Sequence, residues 1–316
     1  MTSNETNNET SDEQGVTISA LNVYPVKSCA GVSVNEALLI ETGLEFDRAW
    51  MVVDAQGSFV TQRELPRMAL IQPTLKHLEV VLRAPGMLAL HLAIDGVEEP
   101  VRVKVWKDEV AAYDMGDLAA QWFSDFLGQP PVPGRPKPAT PPGGADAESV
   151  SGVKFPLRLV RFDPEQKRLS NKKWTGDIDA EVAFNDGFSI LVISEASLTE
   201  LNRKLKVPVT MARFRPNLVL SGLDAHGEDH LDEIRIETPE GPVRLKLVKP
   251  CPRCPIPNVD PLTGEPGVEP GDTLSTYRAD ARLDGAITFG MNAVIVEGIE
   301  CGLRVGQGGR ATYRFD

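Results

Sequence analysis

The chain has 316 residues, 41% hydrophobic and 25% charged, enough for one large globular domain or two of moderate size. Its 33 basic and 45 acidic residues give a formal net charge of -12, which argues against a nucleic-acid footprint, since that needs a basic face. No stretch approaches the roughly 18 apolar residues of a membrane span, and four cysteines (Cys29, Cys251, Cys254, Cys301) are too few for a disulfide scaffold at this length.

Residues 1–15, MTSNETNNETSDEQG, lack the basic and apolar regions of a secretory signal and read as a disordered acidic tail on a cytoplasmic protein. From 16 to 129 short alternating segments predict strands: VTISALNVYPV, AWMVVD, SFVTQR, LEVVLR, LALHLAI and VRVKVW. The turn Asp54–Gly57 reads as a hairpin connection. Residues 116–128 predict a helix with Leu118, Trp122, Phe123 and Leu127 as its apolar stripe and Gly128 as its stop. Pro130–Gly152 is too rich in Pro and Gly to bury a core and reads as a linker or insertion. From 153 to 316 strands resume with LRLVRF, NLVLSG, EIRIE, VRLKLV, NAVIVEG and ATYRFD, and Ser194 is placed to cap a helix over SEASLTELNRKL. Strands and helices do not alternate regularly, so the expected class is mainly β with a few helices (α+β), not a doubly wound sheet.

Four segments place cations, small residues or sulfur in loops. In YPVKSCAG, Lys27 and Ser28 offer an ammonium and a hydroxyl at a strand end. Arg48 of DRAW enters an apolar segment, where it pairs with Asp47 or Glu64 or else grips an anion bidentately. In RFRPN, an extended chain would put Arg213, Arg215 and Asn217 on one face, which calls for an anionic partner. CPRCPIPNVDPLTG leaves three readings open. Cys251 and Cys254 could join His226 and His230 on zinc, or form a redox pair, although Pro255 and Pro257 forbid the regular helix such a pair wants. The third is a single thiolate on a soft transition metal, its acidity raised by Arg253.

The string CPRCPIPNVDPLTG resembles the cysteine motif of MOSC domains. With YPVKSCAG, DRAW, SEASL and RFRPNLVLSG in that order, residues 16 to 316 resemble the mitochondrial amidoxime-reducing components and their bacterial relatives. The resemblance implies a β-barrel-like MOSC domain over 153–316, packed with an N-terminal MOSC-associated β region over 16–129. It implies molybdenum held by one pterin dithiolene and the thiolate of Cys254, the catalytic residue and metal ligand, with Cys251 less essential. Lys27, Ser28, Arg48, Arg215 and Asn217 match cofactor-binding positions. Arg213 and Arg253 are expected to join them, and Asp186 and Gly187 of FNDGFS lie in a stretch that lines the site. The implied activity is reduction of hydroxylamines, amidoximes and N-hydroxylated bases. Only Cys301 follows the motif, so no iron–sulfur cluster is expected in this chain, and electrons are expected from a separate ferredoxin- or cytochrome-type protein fed by a flavin reductase. Neither nucleic acid nor membrane is an expected partner. The alternative is a molybdenum-cofactor carrier or sulfur-transfer protein that uses Cys254.

Overall fold

A computed structural model describes residues 13–96, 98–128 and 152–314. Seven strands close into a β-barrel. In barrel order they are Ile190–Ser194, Leu218–Ser221, Glu13–Val23, Gly308–Tyr313, Leu231–Thr238, Gly241–Pro252 and Ala286–Glu297. The last returns to the first through the antiparallel pairs Ile190↔Ala293 and Val192↔Met291. Alternate side chains turn inward, as period-2 patterning requires. Ile18, Leu21, Val192, Leu220, Ile234, Leu245, Met291 and Ala311 meet in a core from which solvent is almost wholly excluded. One barrel pair, Ile190–Ser194 with Leu218–Ser221, is parallel, and helix Glu195–Lys204 lies between them in sequence. Ser194 caps that helix by accepting from Ser197 N (3.1 Å), as expected.

A second body is built mostly from the first third of the chain. Its four-stranded antiparallel sheet runs Trp50–Val53, Arg158–Phe162, Asp108–Asp114, Pro100–Val105, and a three-stranded sheet runs Gln72–Leu75, Glu79–Arg83, Leu90–Ala93. Helix Asp117–Leu127 packs Trp122, Phe123, Phe126 and Leu127 onto Trp50, Met68, Val80 and Leu159. The two bodies exchange strands. Glu13–Val23 pairs with Leu218–Ser221 and Gly308–Tyr313 in the barrel, while Arg158–Phe162 crosses into the second body. Residues 24–29, where the chain leaves the barrel, therefore lie at the junction.

Several expectations change. Glu13–Gly15, expected in the tail, begin the first strand and pair with Thr312, Ala311 and Arg310; the rest of that tail, residues 130–151 of the Pro-rich segment and residues 315–316 lie outside the described residues. Leu118 faces solvent, and Phe126 takes the place given to it in the buried stripe. Segment 58–63 is not a strand. After bridges at Ser58 and Phe59 it turns, because Glu64 Oε2 accepts from both Thr61 N (2.9 Å) and Thr61 Oγ1 (2.7 Å). The strand predicted over 16–26 ends at Val23.

Barrel closure depends on Gly290 (φ 80), where an added Cβ would stand 2.5 Å from Ile193 Cγ1 and 2.8 Å from Val192 O. Gly290→Ala combines that clash with a left-handed backbone and is expected to cost about 1–3 kcal/mol in urea unfolding. Unchanged stability would show that the seam tolerates separation.

Candidate functional site

The junction segment 24–29 is laced to 47–50 by backbone bonds. Tyr24 O accepts from Arg48 N (2.9 Å), Pro25 O from Trp50 N (3.0 Å), and Trp50 O from Lys27 N (2.8 Å). Ser28, Arg48 and Arg215 all hold left-handed backbones (φ 67, 52 and 59), a strained conformation for non-glycine residues that concentrates at functional sites. Ser28 is buried, and its carbonyl accepts from Gln62 Nε2 (2.6 Å).

The centre of the cluster is an excess of buried positive charge. Asp47 is fully buried and accepts from Tyr24 N (2.9 Å), Asn185 Nδ2 (3.2 Å) and Arg48 Nη1 (2.6 Å to Oδ2). Arg48 also reaches Asn217 Oδ1 and Arg215 O, both at 3.3 Å. The guanidinium carbons of Arg48 and Arg215 each stand 4.3 Å from the Tyr24 ring centroid. Arg215 Nη1 donates to Cys29 O, but its Nη2 is buried with no partner. Arg253 donates to Phe214 O (2.8 Å) and Cys251 Sγ (3.1 Å), and its Nε is likewise buried and unpaired.

Three guanidiniums thus gather near Tyr24 with one carboxylate, Asp47, which pairs with Arg48, and two donor nitrogens are unspent. Buried, under-paired charge of this kind is costly unless an anion completes it. Burial pulls Arg215 down to about 10, and neighbouring Arg48 adds to the effect. Burial pushes the Tyr24 hydroxyl up to about 12 against the pull of both arginines. It also pushes the Cys29 thiol up to about 12, so that sulfur stays protonated at neutral pH.

Lys27 borders this cluster. Its side chain is 6% exposed, and Nζ donates to Phe184 O (2.7 Å) and Asp186 Oδ1 (2.5 Å). Burial lowers the lysine's affinity for its proton, and Asp186 opposes that shift. Asp186 itself is 67% exposed. Desolvation favours its neutral form, yet Lys27 and the Trp106 indole N–H (3.1 Å) hold the carboxyl well below the usual range. Gly187 follows, with open space where a Cβ would stand.

The cysteine loop leaves barrel strand Gly241–Pro252 and is pinned by Arg253 N to Ile287 O (2.8 Å). A short 3-10 turn, Ile256–Asn258, follows, and Asp260 Oδ1 caps Leu262 N (2.8 Å) and Thr263 N (3.2 Å). Cys254 is free and exposed, whereas Cys251 is half-buried. Two expectations need correction here. Arg253 donates to the sulfur of Cys251, not to that of Cys254. Arg213 and Arg215 do not share one extended face: Met211–Arg213 is a 3-10 turn and Arg215 is left-handed, so the two side chains diverge. Arg213 is spent on Asp260 Oδ2 (3.0 Å) and Pro257 O (3.2 Å), where it anchors the cysteine loop.

Lys27, Ser28, Arg48, Arg215, Asn217 and Arg253 are therefore joined through one contact network, with Asp186 on its edge. Asn217 Oδ1 also accepts from Leu191 N (3.1 Å), which ties the network to the barrel. Among the described residues, no group of three or more His, Cys, Asp and Glu is arranged to hold a metal, so His226 and His230 do not complete a zinc site with the cysteines. Sequence reasoning passed over Tyr24, Asn185 and Trp106. Tyr24 lay inside a quoted motif, but nothing in its spacing signals two cations over its ring.

Residues 15–130 match the MOSC N-terminal beta barrel domain and residues 179–308 match the MOSC domain. The chain belongs to the MOSC family. Among its relatives, mitochondrial amidoxime reducing component 2 of Rattus norvegicus is 35% identical over 277 residues, covering 84% of this chain and 73% of that protein. Component 2 of Bos taurus is 36% identical over 275 residues with the same coverages. Component 1 of Homo sapiens is 33% identical over 286 residues, again covering 84% and 73%. The closed barrel and predominance of strands fit this MOSC assignment.

Asp47 is the counter-charge of the cluster. Asp47→Asn keeps its shape but leaves the arginines uncompensated, and is expected to cost about 3–5 kcal/mol in urea unfolding. A loss below about 1 kcal/mol would mean that the guanidiniums are already solvated.

Proposed function

We propose that this MOSC protein is a molybdenum-cofactor-dependent reductase of N-hydroxylated compounds, with Cys254 as the protein's ligand to the metal. The observation that carries the reading is the pair of buried, unpartnered donors, Arg215 Nη2 and Arg253 Nε, in a cationic cluster beside the cysteine loop. A pterin phosphate is the kind of anion that completes such a cluster. An exposed thiol on a loop braced by Arg213 and Asp260 suits a soft metal. The names of the relatives, amidoxime reducing components, supply the substrate class.

In this reading each residue has a physical task. Arg48, Arg215 and Arg253 neutralise the cofactor's anionic end, with Lys27, Ser28 and Asn217 lining the same pocket. Asp47 and Tyr24 hold the arginines in position before the cofactor arrives, so little ordering remains for binding to impose. Asp186 and Gly187 form the rim. When bound, the cofactor supplies two-electron reduction of the N–O bond. The electrons come from a separate iron–sulfur or cytochrome protein fed by a flavin reductase, and the setting is cytoplasmic. No helix among the described residues is long and apolar enough to cross a membrane.

Protein made in a molybdenum-competent host is expected to carry molybdenum and pterin and to reduce benzamidoxime with an artificial donor. Cys254→Ala should lose metal and more than about a hundredfold in activity, because residues merely supporting a ligand already cost 10–100-fold. Cys251→Ala should retain both. Equal activity of Cys254→Ala and wild type would refute the ligand. One equivalent of zinc without molybdenum, or a persulfide on Cys254 without metal, would refute the reductase.

A further inference from the structure

Trp106 stands at the edge of the cluster in a state that packing does not explain. It sits at the turn between strands Pro100–Val105 and Asp108–Asp114, remains 49% exposed, and holds a left-handed backbone (φ 56). A bulky residue in that region is a genuine outlier, since turn positions of this kind favour Asn, Asp or Gly. A large exposed aromatic side chain usually gains too little to offset such strain.

Three contacts fix its ring. The indole N–H donates to Asp186 Oδ1 (3.1 Å), Phe59 lies 5.0 Å away at 57°, and the Arg63 guanidinium is 4.7 Å from the ring centroid. Arg63 is itself held by Thr61 Oγ1 (3.1 Å to Nε). The indole is therefore rigid, half in solvent, and bonded to the carboxylate that pairs with Lys27. Lys27 and Trp106 both donate to Oδ1 of Asp186, whose side chain is largely exposed, so Oδ2 remains available as an acceptor. A rigid aromatic face beside a fixed carboxylate oxygen suits a flat π-system bearing an amino group.

We infer that Trp106 is a specificity-determining residue, on which the planar part of an N-hydroxylated amidine or nucleobase rests while its amino group donates to Asp186 Oδ2. The inference rests on the proposed reductase activity for its kinetics but not for its binding. Stacking of this type is typically lost as roughly a tenfold weakening per ring. Phe59 and Arg63 keep the indole from folding onto the surface, so the platform exists before substrate arrives.

Saturation-transfer NMR with benzamidoxime tests the contact without turnover. The ring protons should receive saturation from the wild type and from Trp106→Phe, and roughly tenfold less from Trp106→Ala. In the loaded enzyme, Trp106→Ala should raise KM for benzamidoxime about tenfold, with kcat nearly unchanged and reduction of ringless hydroxylamine unaffected. Trp106→Phe should stay close to wild type. Equal saturation of all three proteins, or none in the wild type, would overturn the platform whatever the activity. Trp106→Phe behaving like Trp106→Ala would overturn it too, since the loss would then belong to the indole N–H. A wild type that binds benzamidoxime but reduces nothing would instead count against the reductase.

Discussion

The site depends on a surplus of buried cations that the protein alone does not balance. Arg48, Arg215 and Arg253 converge with one carboxylate, Asp47, among them, while Tyr24 offers its ring to two guanidiniums. Hydrogen bonds to carbonyls of Cys29, Phe214 and Arg215 relieve part of the cost. They leave two donors unpaired, in a class of atom that folded proteins almost always satisfy. Asp47 makes the arrangement possible in the absence of a ligand, and the surplus makes it receptive to an anion.

That surplus requires two bodies to meet. The barrel contributes Arg215, Asn217 and the cysteine loop, and the other body contributes Arg48. Tyr24–Cys29 runs between them as the chain leaves barrel strand Glu13–Val23. The bridge between Val26 and Trp50, with the bonds from Arg48 N to Tyr24 O and from Lys27 N to Trp50 O, fastens the segment leaving the barrel to the other body. The cluster therefore inherits the stiffness of two cores, as a preorganised electrostatic site needs.

Much of this was legible in the sequence. Period-2 patterning marked most barrel strands, Ser194 announced its helix, and the order of short motifs carried the MOSC resemblance. What escaped had physical reasons. Arg213 and Arg215 were read on an extended chain, but a 3-10 turn and a left-handed residue rotate them apart, and no local signal encodes that rotation. Ser58–Arg63 looked like a strand because the bonds from Thr61 to the Glu64 side chain compete with pairing only once the turn exists. Leu118 obeyed the apolar composition of its helix but not the phase of its buried face. Tyr24, Asn185 and Trp106 have roles only in three dimensions, through partners 23, 138 and 80 residues away.

Locating the metal tests the account most directly. Crystals of the molybdenum-loaded protein, measured at the molybdenum absorption edge, should give one anomalous peak at bonding distance from Cys254 Sγ. The accompanying pterin phosphate should lie against Arg215 Nη2 and Arg253 Nε. A peak on Cys251, or a cofactor bound away from the arginines, would contradict the central claim.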